Sequence, residues 1–161
     1  MEITVYQEEL EDSMINLILS IQNGEFGIPV TIDEQPDLKA VNSFYQTGKG
    51  NFWVAVAEGE VVGTIGLKDI GENRAALRKM FVHPGWRGKQ AGVAQQLLQT
   101  VFDWGEAASL TDIYLGTTDK FLAAHRFYEK NGFVRIKQTK LPATFPIMKV
   151  DTIFYHYTFV K

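Results

Sequence analysis

The sequence predicts a mixed α/β (α+β) fold, in which helices cover a central sheet. Two observations support this fold class. Residues 52–82 contain three consecutive strand patterns joined by short turns, and residues 83–133 alternate helix and strand patterns. Strands that follow one another in one half of a chain and alternate with helices in the other half are typical of a mixed sheet packed against helices.

The first 50 residues predict one short strand and two helices. Residues 3–6 form the strand pattern. Apolar residues then recur at spacings of three and four between Leu10 and Ile21, which indicates an amphipathic helix that ends near Gly24. After an irregular stretch over residues 25–36, helical spacing resumes from Leu38 to Tyr45.

The remaining elements follow in a regular order. Residues 52–57 and 61–67 flank the polar pair Glu58-Gly59, which is typical of a β-hairpin, and a turn over residues 69–73 leads into a strand at 75–82. The later elements are a helix over 94–105, a strand over 113–116, a helix over 121–128 and strands over 134–137 and 152–160. The prediction totals about seven strands and about four helices.

The composition restricts the function. The chain has 161 residues and no linker or repeat, so we expect a single domain over residues 1–161. Its net charge of -3 and the lack of a Lys/Arg run argue against nucleic acid as a partner. No leader-like start and no run of about 18 apolar residues is found, so we predict a cytoplasmic protein without a membrane partner. The absence of cysteine excludes disulfides and thiolate metal sites.

A glycine-rich turn separates the third strand of the meander from the next helix. Gly88, Ala91 and Gly92 would let the backbone approach phosphate oxygens closely, and Arg87 and Lys89 add positive charge. Because a helix N-terminus exposes backbone N–H groups, this turn is a candidate pyrophosphate site. A solvated basic turn, with glycines needed only for its geometry, is the alternative. A Walker loop does not fit, because no Gly-Lys-Ser/Thr follows.

Two blocks of residues together resemble the GCN5-related N-acetyltransferase (GNAT) family. The first, Arg87-Gly88-Lys89-Gln90-Ala91-Gly92, is similar to the family's pyrophosphate loop Arg/Gln-x-x-Gly-x-Gly/Ala, with Gln90 in place of the first motif glycine. The second, residues 124–133, is similar to the family's helix that ends in an aromatic residue, Tyr, a charged pair and Gly-Phe. The family often has Asn seven residues before that Tyr, where this chain has Phe121.

The resemblance implies a GNAT-like, mostly antiparallel sheet in which the strands 75–82 and 113–117 splay apart. The pantetheine arm of acetyl-CoA, the implied cosubstrate, would enter this gap, and no metal is expected. Open backbone groups near residues 80–82 would help to polarise the thioester carbonyl. The residues expected to bind the cosubstrate are Met80, Phe81, Val82, Arg87, Gly88, Lys89, Gln90, Ala91, Gly92, Val93, Phe121, Ala124 and Tyr128.

The implied reaction moves the acetyl group directly to a primary amine, with Tyr128 as the general acid. A phenol of reference pKa about 10 keeps its proton at neutral pH and can deliver it to a thiolate of pKa about 8.5. By spacing alone, a core aromatic on a helical stripe is the favoured interpretation of Tyr128, and the matched motif reverses that order. The general base stays open between a water chain and a carboxylate of the irregular segment, namely Glu25, Asp33 or Glu34.

The three histidines are interpreted as loop or surface residues. His83, His125 and His156 show no metal-ligand spacing to one another or to a carboxylate pair. We expect His125 to be exposed on the side of its helix opposite Tyr128.

Several other functions fit part of the pattern. A non-catalytic acetyl-CoA-binding regulatory module would keep the loop, and an acyltransferase for a different acyl-CoA would read the same phosphates. A purely structural protein would require both blocks to be coincidental. The acceptor is left open as a small-molecule or peptide amine. The aromatic-rich final strand offers an edge for pairing with a second copy, so a homodimer is one assembly that the sequence allows.

Overall fold

A seven-stranded sheet forms the centre of the protein in the computed structural model, which describes residues 1–88 and 90–159. The strand order is β1-β2-β3-β4-β5-β7-β6, and among the strands of these described residues only β4 and β5 pair in parallel. The predicted mixed, mostly antiparallel sheet is therefore confirmed. The strands are β1 Glu2–Val5, β2 Asn51–Ala57, β3 Glu60–Gly71, β4 Arg74–Val82, β5 Asp112–Thr117, β6 Val134–Ile136 and β7 Ile153–Thr158.

Four α-helices accompany the sheet within the same residues, as predicted. They are α1 Glu11–Leu19, α2 Val41–Phe44, α3 Val93–Ala107 and α4 Leu122–Lys130. The first helix continues as a wider π-helical segment, Ser20–Glu25. The second is shorter than predicted, because Ala40, with φ of -141°, separates α2 from the 3-10 segment Pro36–Lys39.

The β2–β3 hairpin has the predicted two-residue turn. Glu58 and Gly59 both have positive φ, 51° and 78°, as a type I′ turn requires. The next turn is tighter than predicted, because β3 continues to Gly71 and leaves two residues, Glu72 and Asn73, between β3 and β4, both with positive φ. This longer strand gives β4 a partner along its whole length.

Apolar side chains pack on both faces of the sheet. Along β2, Trp53 and Ala55 join the cluster that contains α3, whereas Phe52 and Val54 join the cluster that contains α1. This alternation is that of a strand whose two faces are both covered by helices. Two separate cores therefore meet at the central strands.

In the described part of the chain no helix is long and apolar enough to cross a membrane.

The strands β4 and β5 separate after a short paired segment. Their pairs are Arg74 with Asp112, Ala75 with Ile113 and Ala76 with Tyr114. Beyond Ala76, no described residue of β4 pairs with β5, although the strands continue to Val82 and Thr117. The predicted splaying of these two strands is confirmed.

Candidate active site

The gap between β4 and β5 opens into a cavity. Its walls include residues 77–81 of β4 and residues 115–118 at and beyond the end of β5. Further lining residues come from the segments 22–30 and 145–151 and from the start and middle of the α4 region, at Phe121 and Tyr128. Of the residues predicted to bind the cosubstrate, the cavity brings together Met80, Phe81, Phe121 and Tyr128, whereas Val82, Ala124 and the described loop residues lie outside its lining.

A β-bulge shapes the β4 wall of this cavity. The register against β3 shifts between Gly66 and Thr64, and Lys79 adopts the left-handed region with φ of 54°. The Thr64 hydroxyl donates a hydrogen bond to the Lys79 carbonyl oxygen at 2.6 Å. Since a bulge changes the direction of the side chains next to it, Arg78 and Lys79 both reach the same carboxylate, Asp37, instead of pointing to opposite faces.

Tyr128 lies on α4 and borders the cavity. Its side chain is buried, and its ring packs against the rings of Phe133 and Tyr155. No hydrogen bond to a described residue engages its hydroxyl. Burial, assisted by the nearby Tyr155, raises the pKa of Tyr128 well above its usual value of 10. The phenol therefore stays protonated throughout the physiological pH range.

The glycine-rich turn places two left-handed glycines before α3. Gly88 has φ of 105° and Gly92, the N-cap residue of α3, has φ of 63°. Glycine adopts such angles without steric cost, and the first backbone N–H groups of α3 have no partner within the helix. Gln90 and Ala91 lie in the turn between them, and Lys89 lies outside the described residues. The turn thus presents the N-terminus of a long helix.

Arg87 is held by two partners in this turn. Its guanidinium donates two hydrogen bonds to the Glu25 carboxylate, at 2.6 and 2.7 Å, and a third from Nε to the Val82 carbonyl oxygen at 2.8 Å. The hydrogen bonds from Arg87 lower the pKa of Glu25. Glu25 was one of three candidates for the base, and this pairing makes it a weaker proton acceptor.

Known proteins resemble this chain in sequence and in fold. The sequence profile of the Acetyltransferase (GNAT) family matches residues 15–133. An acetyltransferase of GNAT family from Staphylococcus aureus Mu50 is 40% identical, with a TM-score of 0.94 and 98% of each chain covered. This chain belongs to the GNAT acetyltransferase family. The predicted resemblance is thereby confirmed, as is the prediction of an acyltransferase at the level of the family.

Two further comparisons concern a curated relative and a structure that shares the fold. N-acetylaspartate synthetase of Danio rerio is 35% identical over 106 residues, which are 65% of this chain and 37% of the synthetase. The chain thus spans little more than a third of that curated relative. PaiA N-acetyltransferase from Thermoplasma acidophilum, solved in complex with coenzyme A, shares the fold with a TM-score of 0.73 at 18% identity over 98% of each chain.

Phe121 takes part in an aromatic contact that the GNAT motif did not predict. It stands at the N-cap position of α4, and its ring packs edge to face against Phe26 and Phe81. The side chain therefore links the segment after α1 to Phe81, near the end of β4. Where the family often has Asn, this chain has a side chain that makes apolar contacts.

One prediction about the histidines of this GNAT chain is wrong. His125 is buried instead of exposed, and its Nε2 lies 2.9 Å from the Thr118 carbonyl oxygen. The physical reason is the helical repeat, because residues three apart share a face and His125 precedes Tyr128 by three. Among the described residues, no group of three His, Cys, Asp or Glu side chains is arranged to hold a metal.

The remaining base candidates lie away from the cavity. Asp33 and Glu34 are exposed, and Glu34 accepts hydrogen bonds from the backbone and hydroxyl of Thr31. Neither side chain lines the cavity.

The sequence reasoning missed a charged group at the cavity. Asp37, Arg78, Lys79 and Asp151 come from three segments, and the last three of them line the cavity. Burial raises the pKa of the Asp151 carboxyl, which also accepts a hydrogen bond from the Met148 backbone at 2.9 Å. A signal was present, since two adjacent cations interrupt an otherwise apolar strand between Leu77 and Met80.

Proposed function

We propose that this protein transfers the acetyl group of acetyl-CoA to the primary amine of a small molecule. The observation that carries the proposal is the open gap between β4 and β5, with the Tyr128 phenol at its border. Family membership supports the reaction class. The name of the Danio rerio relative, an N-acetylaspartate synthetase, supports a small acceptor.

Acetyl-CoA would lie across the turn and enter the gap. The N-terminus of α3, with Gly88 and Gly92, offers backbone N–H groups to the pyrophosphate. The described loop residues Gln90 and Ala91, together with Val93, border this site, and Lys89 adds a charge by its sequence position. Arg87 would exchange its carboxylate partner Glu25 for phosphate oxygens. This exchange is inexpensive because the side chains of both residues are about one third exposed, at 38% and 32%.

The pantetheine arm would then pair with the open edge of β4. An extended chain added beside a strand is held by main-chain hydrogen bonds, and Met80, Phe81 and Val82 supply this edge. A backbone N–H at the bulge would polarise the thioester oxygen as the negative charge develops. Phe121 and Ala124 at the start of α4 would border the arm on its other side.

The chemistry requires one bond to form, one to break and a net transfer of one proton from nitrogen to sulfur. The neutral amine nitrogen attacks the thioester carbonyl carbon, a C–N bond forms, and the C–S bond breaks to release the CoA thiolate. Tyr128 delivers its proton to the sulfur, and the proton lost by the amine restores the phenol through water. Because burial raises the pKa of Tyr128, the phenolate does not accumulate, and the two transfers must be closely coupled.

Kinetics of the Tyr128→Phe variant test the role of this phenol. The substitution removes one oxygen and keeps the ring that packs against Phe133 and Tyr155. We expect kcat to fall by about 100-fold or more, whereas the Kd for acetyl-CoA changes less than about threefold. Tyr157→Phe is the matched control, since its ring stacks on Phe102 away from the cavity. An unchanged kcat in Tyr128→Phe would remove the general acid from the proposal, and absence of any acetyl transfer by the wild type would favour a regulatory module.

A further inference from the structure

Lys79 is an unusual residue for the wall of a cavity. Only 3% of its side chain is exposed, yet the residue lines the gap between β4 and β5, and its Nζ lies beside the sulfur of Met148, which also lines the gap. A buried ammonium normally requires oxygen acceptors for its three protons.

The described residues supply Lys79 with poor partners. Its Nζ lies 3.5 Å from the Met148 sulfur, a weak acceptor, and 3.8 Å from Asp37 Oδ2, beyond hydrogen-bonding distance. No oxygen of a described residue lies close enough to accept a hydrogen bond from it. Burial lowers the pKa of Lys79 to about 8, which agrees with incomplete compensation. Asp37 is therefore at ion-pair distance from the ammonium but does not accept a hydrogen bond from it.

Asp37 is already committed to other groups. Its Oδ2 accepts a hydrogen bond from the Tyr45 hydroxyl at 2.6 Å and lies 3.8 Å from Arg78 Nη2. Arg78 in turn donates to the Tyr45 oxygen at 3.1 Å and to the Pro146 carbonyl oxygen at 3.2 Å. One carboxylate thus faces two cations, and only Arg78 is well satisfied by its neighbours.

The second carboxyl group near Lys79 is Asp151. It lines the same cavity as Lys79. Its Oδ2 accepts a hydrogen bond from the Met148 backbone N–H. Burial raises the pKa of Asp151, and the charges of Arg78 and Lys79 oppose that rise. The cavity thus holds, at Lys79, an ammonium without a hydrogen-bonded oxygen and, at Asp151, a carboxyl group.

We propose that the amine acceptor also carries a carboxylate, which binds to the Lys79 ammonium beside Arg78, so that the acceptor is an amino acid. This inference rests on the proposed function and names the substrate class of the same site. A carboxylate oxygen would supply the missing acceptor for Lys79 and balance the second cation. Asp151 would face the amino group of the same molecule. The pocket is then complementary to a zwitterion, with a cation for one end and a carboxyl group for the other.

A substrate comparison tests the carboxylate requirement. The wild-type protein would be assayed with the standard L-amino acids, aspartate and glutamate among them. Ethanolamine, n-propylamine and putrescine serve as primary amines of comparable size that lack a carboxylate. We expect the best amino acid to exceed the best of these amines by at least about 100-fold in kcat/KM, because the amines leave the buried ammonium unpaired. Equal use of amines without a carboxylate would overturn the inference.

The Lys79→Met variant tests the residue. Methionine keeps the unbranched chain and removes the charge, so the KM for amino acids should rise by about 50-fold or more while the KM for acetyl-CoA stays within about twofold. The preference over carboxylate-free amines should fall to within about fivefold. Lys137→Met, at an exposed lysine outside the cavity, is the matched control and should leave both constants unchanged. An unchanged KM for amino acids in Lys79→Met would overturn the assignment.

Calorimetry separates a failure of this inference from a failure of the proposed function. The amino acids are titrated into the CoA-bound wild-type and Lys79→Met proteins, so that binding is measured without acetyl transfer. Binding to the wild type that is lost in Lys79→Met supports the carboxylate site even if no acceptor is acetylated, and only the proposed reaction then fails. Binding of no amino acid by the wild type overturns the inference.

Discussion

Burial of Lys79 should reduce the stability of the protein at neutral pH. Folding lowers the pKa of this lysine from 10.5 to about 8, so the folded protein holds the proton less firmly than the unfolded chain does. The cost, about 3 kcal/mol, is fully present below pH 8, and it diminishes as the pH rises through 10.5, above which both states have lost the proton. The charged and titratable neighbours are Asp37, Arg78 and Asp151.

The Lys79→Met variant should therefore be more stable than the wild type. Asp37 keeps Arg78 and Tyr45 as partners, so the substitution leaves no unpaired carboxylate. We expect a gain of about 1–3 kcal/mol in the free energy of unfolding at pH 7, and a smaller gain at pH 9.5. Urea denaturation at the two pH values measures both. A loss of stability at pH 7 would show that the Lys79–Asp37 interaction outweighs the cost of burial.

At the scale of single elements, a glycine in β5 allows the segment before β7 to approach the gap. A Cβ atom on Gly116 would lie 2.7 Å from Asp151 Oδ2 and 2.8 Å from its Cγ. Real side chains do not approach so closely, so Asp151 must shift. The shift would also strain its hydrogen bond with the Met148 backbone. The Asp151 side of the cavity therefore depends on a residue that bears no functional group.

The Gly116→Ala variant should lose acceptor binding more than stability. We expect the KM for the acceptor to rise by about tenfold and the free energy of unfolding to fall by about 1–3 kcal/mol. Steady-state kinetics and thermal unfolding measure the two effects. Gly24→Ala is the control, because no atom lies within 4 Å of its added Cβ and its φ is not positive. An unchanged acceptor KM in Gly116→Ala would separate Asp151 from acceptor binding.

The order of the elements could be predicted from the sequence, because each depends on local patterns. The hairpin turn at Glu58-Gly59 and the stripe of α3 illustrate this, since their signals lie within a few residues. The turn after β3 was placed too early, because polar residues at the end of a long strand look like a turn. The burial of His125 could have been predicted from its spacing to Tyr128.

At the scale of the whole molecule, the candidate site combines segments far apart in the sequence. Tyr128, the splayed strands and the glycine-rich turn follow from the two family blocks. The charged group of Asp37, Arg78, Lys79 and Asp151 does not follow from these blocks. The bulge in β4 brings Lys79 toward Asp37, and Asp151 joins them from the segment before β7. Side-chain direction at a bulge depends on the register with a neighbouring strand, which a single sequence does not specify. The domain count, the cytoplasmic location and the homodimer stay predictions.

The central claim, that acetyl-CoA binds across the turn and in the gap, is tested most directly by isothermal titration calorimetry with acetyl-CoA. We predict binding with a Kd in the micromolar range, no comparable binding of ATP, and a Kd raised by about tenfold or more in Arg87→Ala. Arg135→Ala, at an exposed arginine of β6, is the matched control and should bind like the wild type. Absence of binding at millimolar acetyl-CoA, or equal affinity in Arg87→Ala and the wild type, would contradict this account of the site.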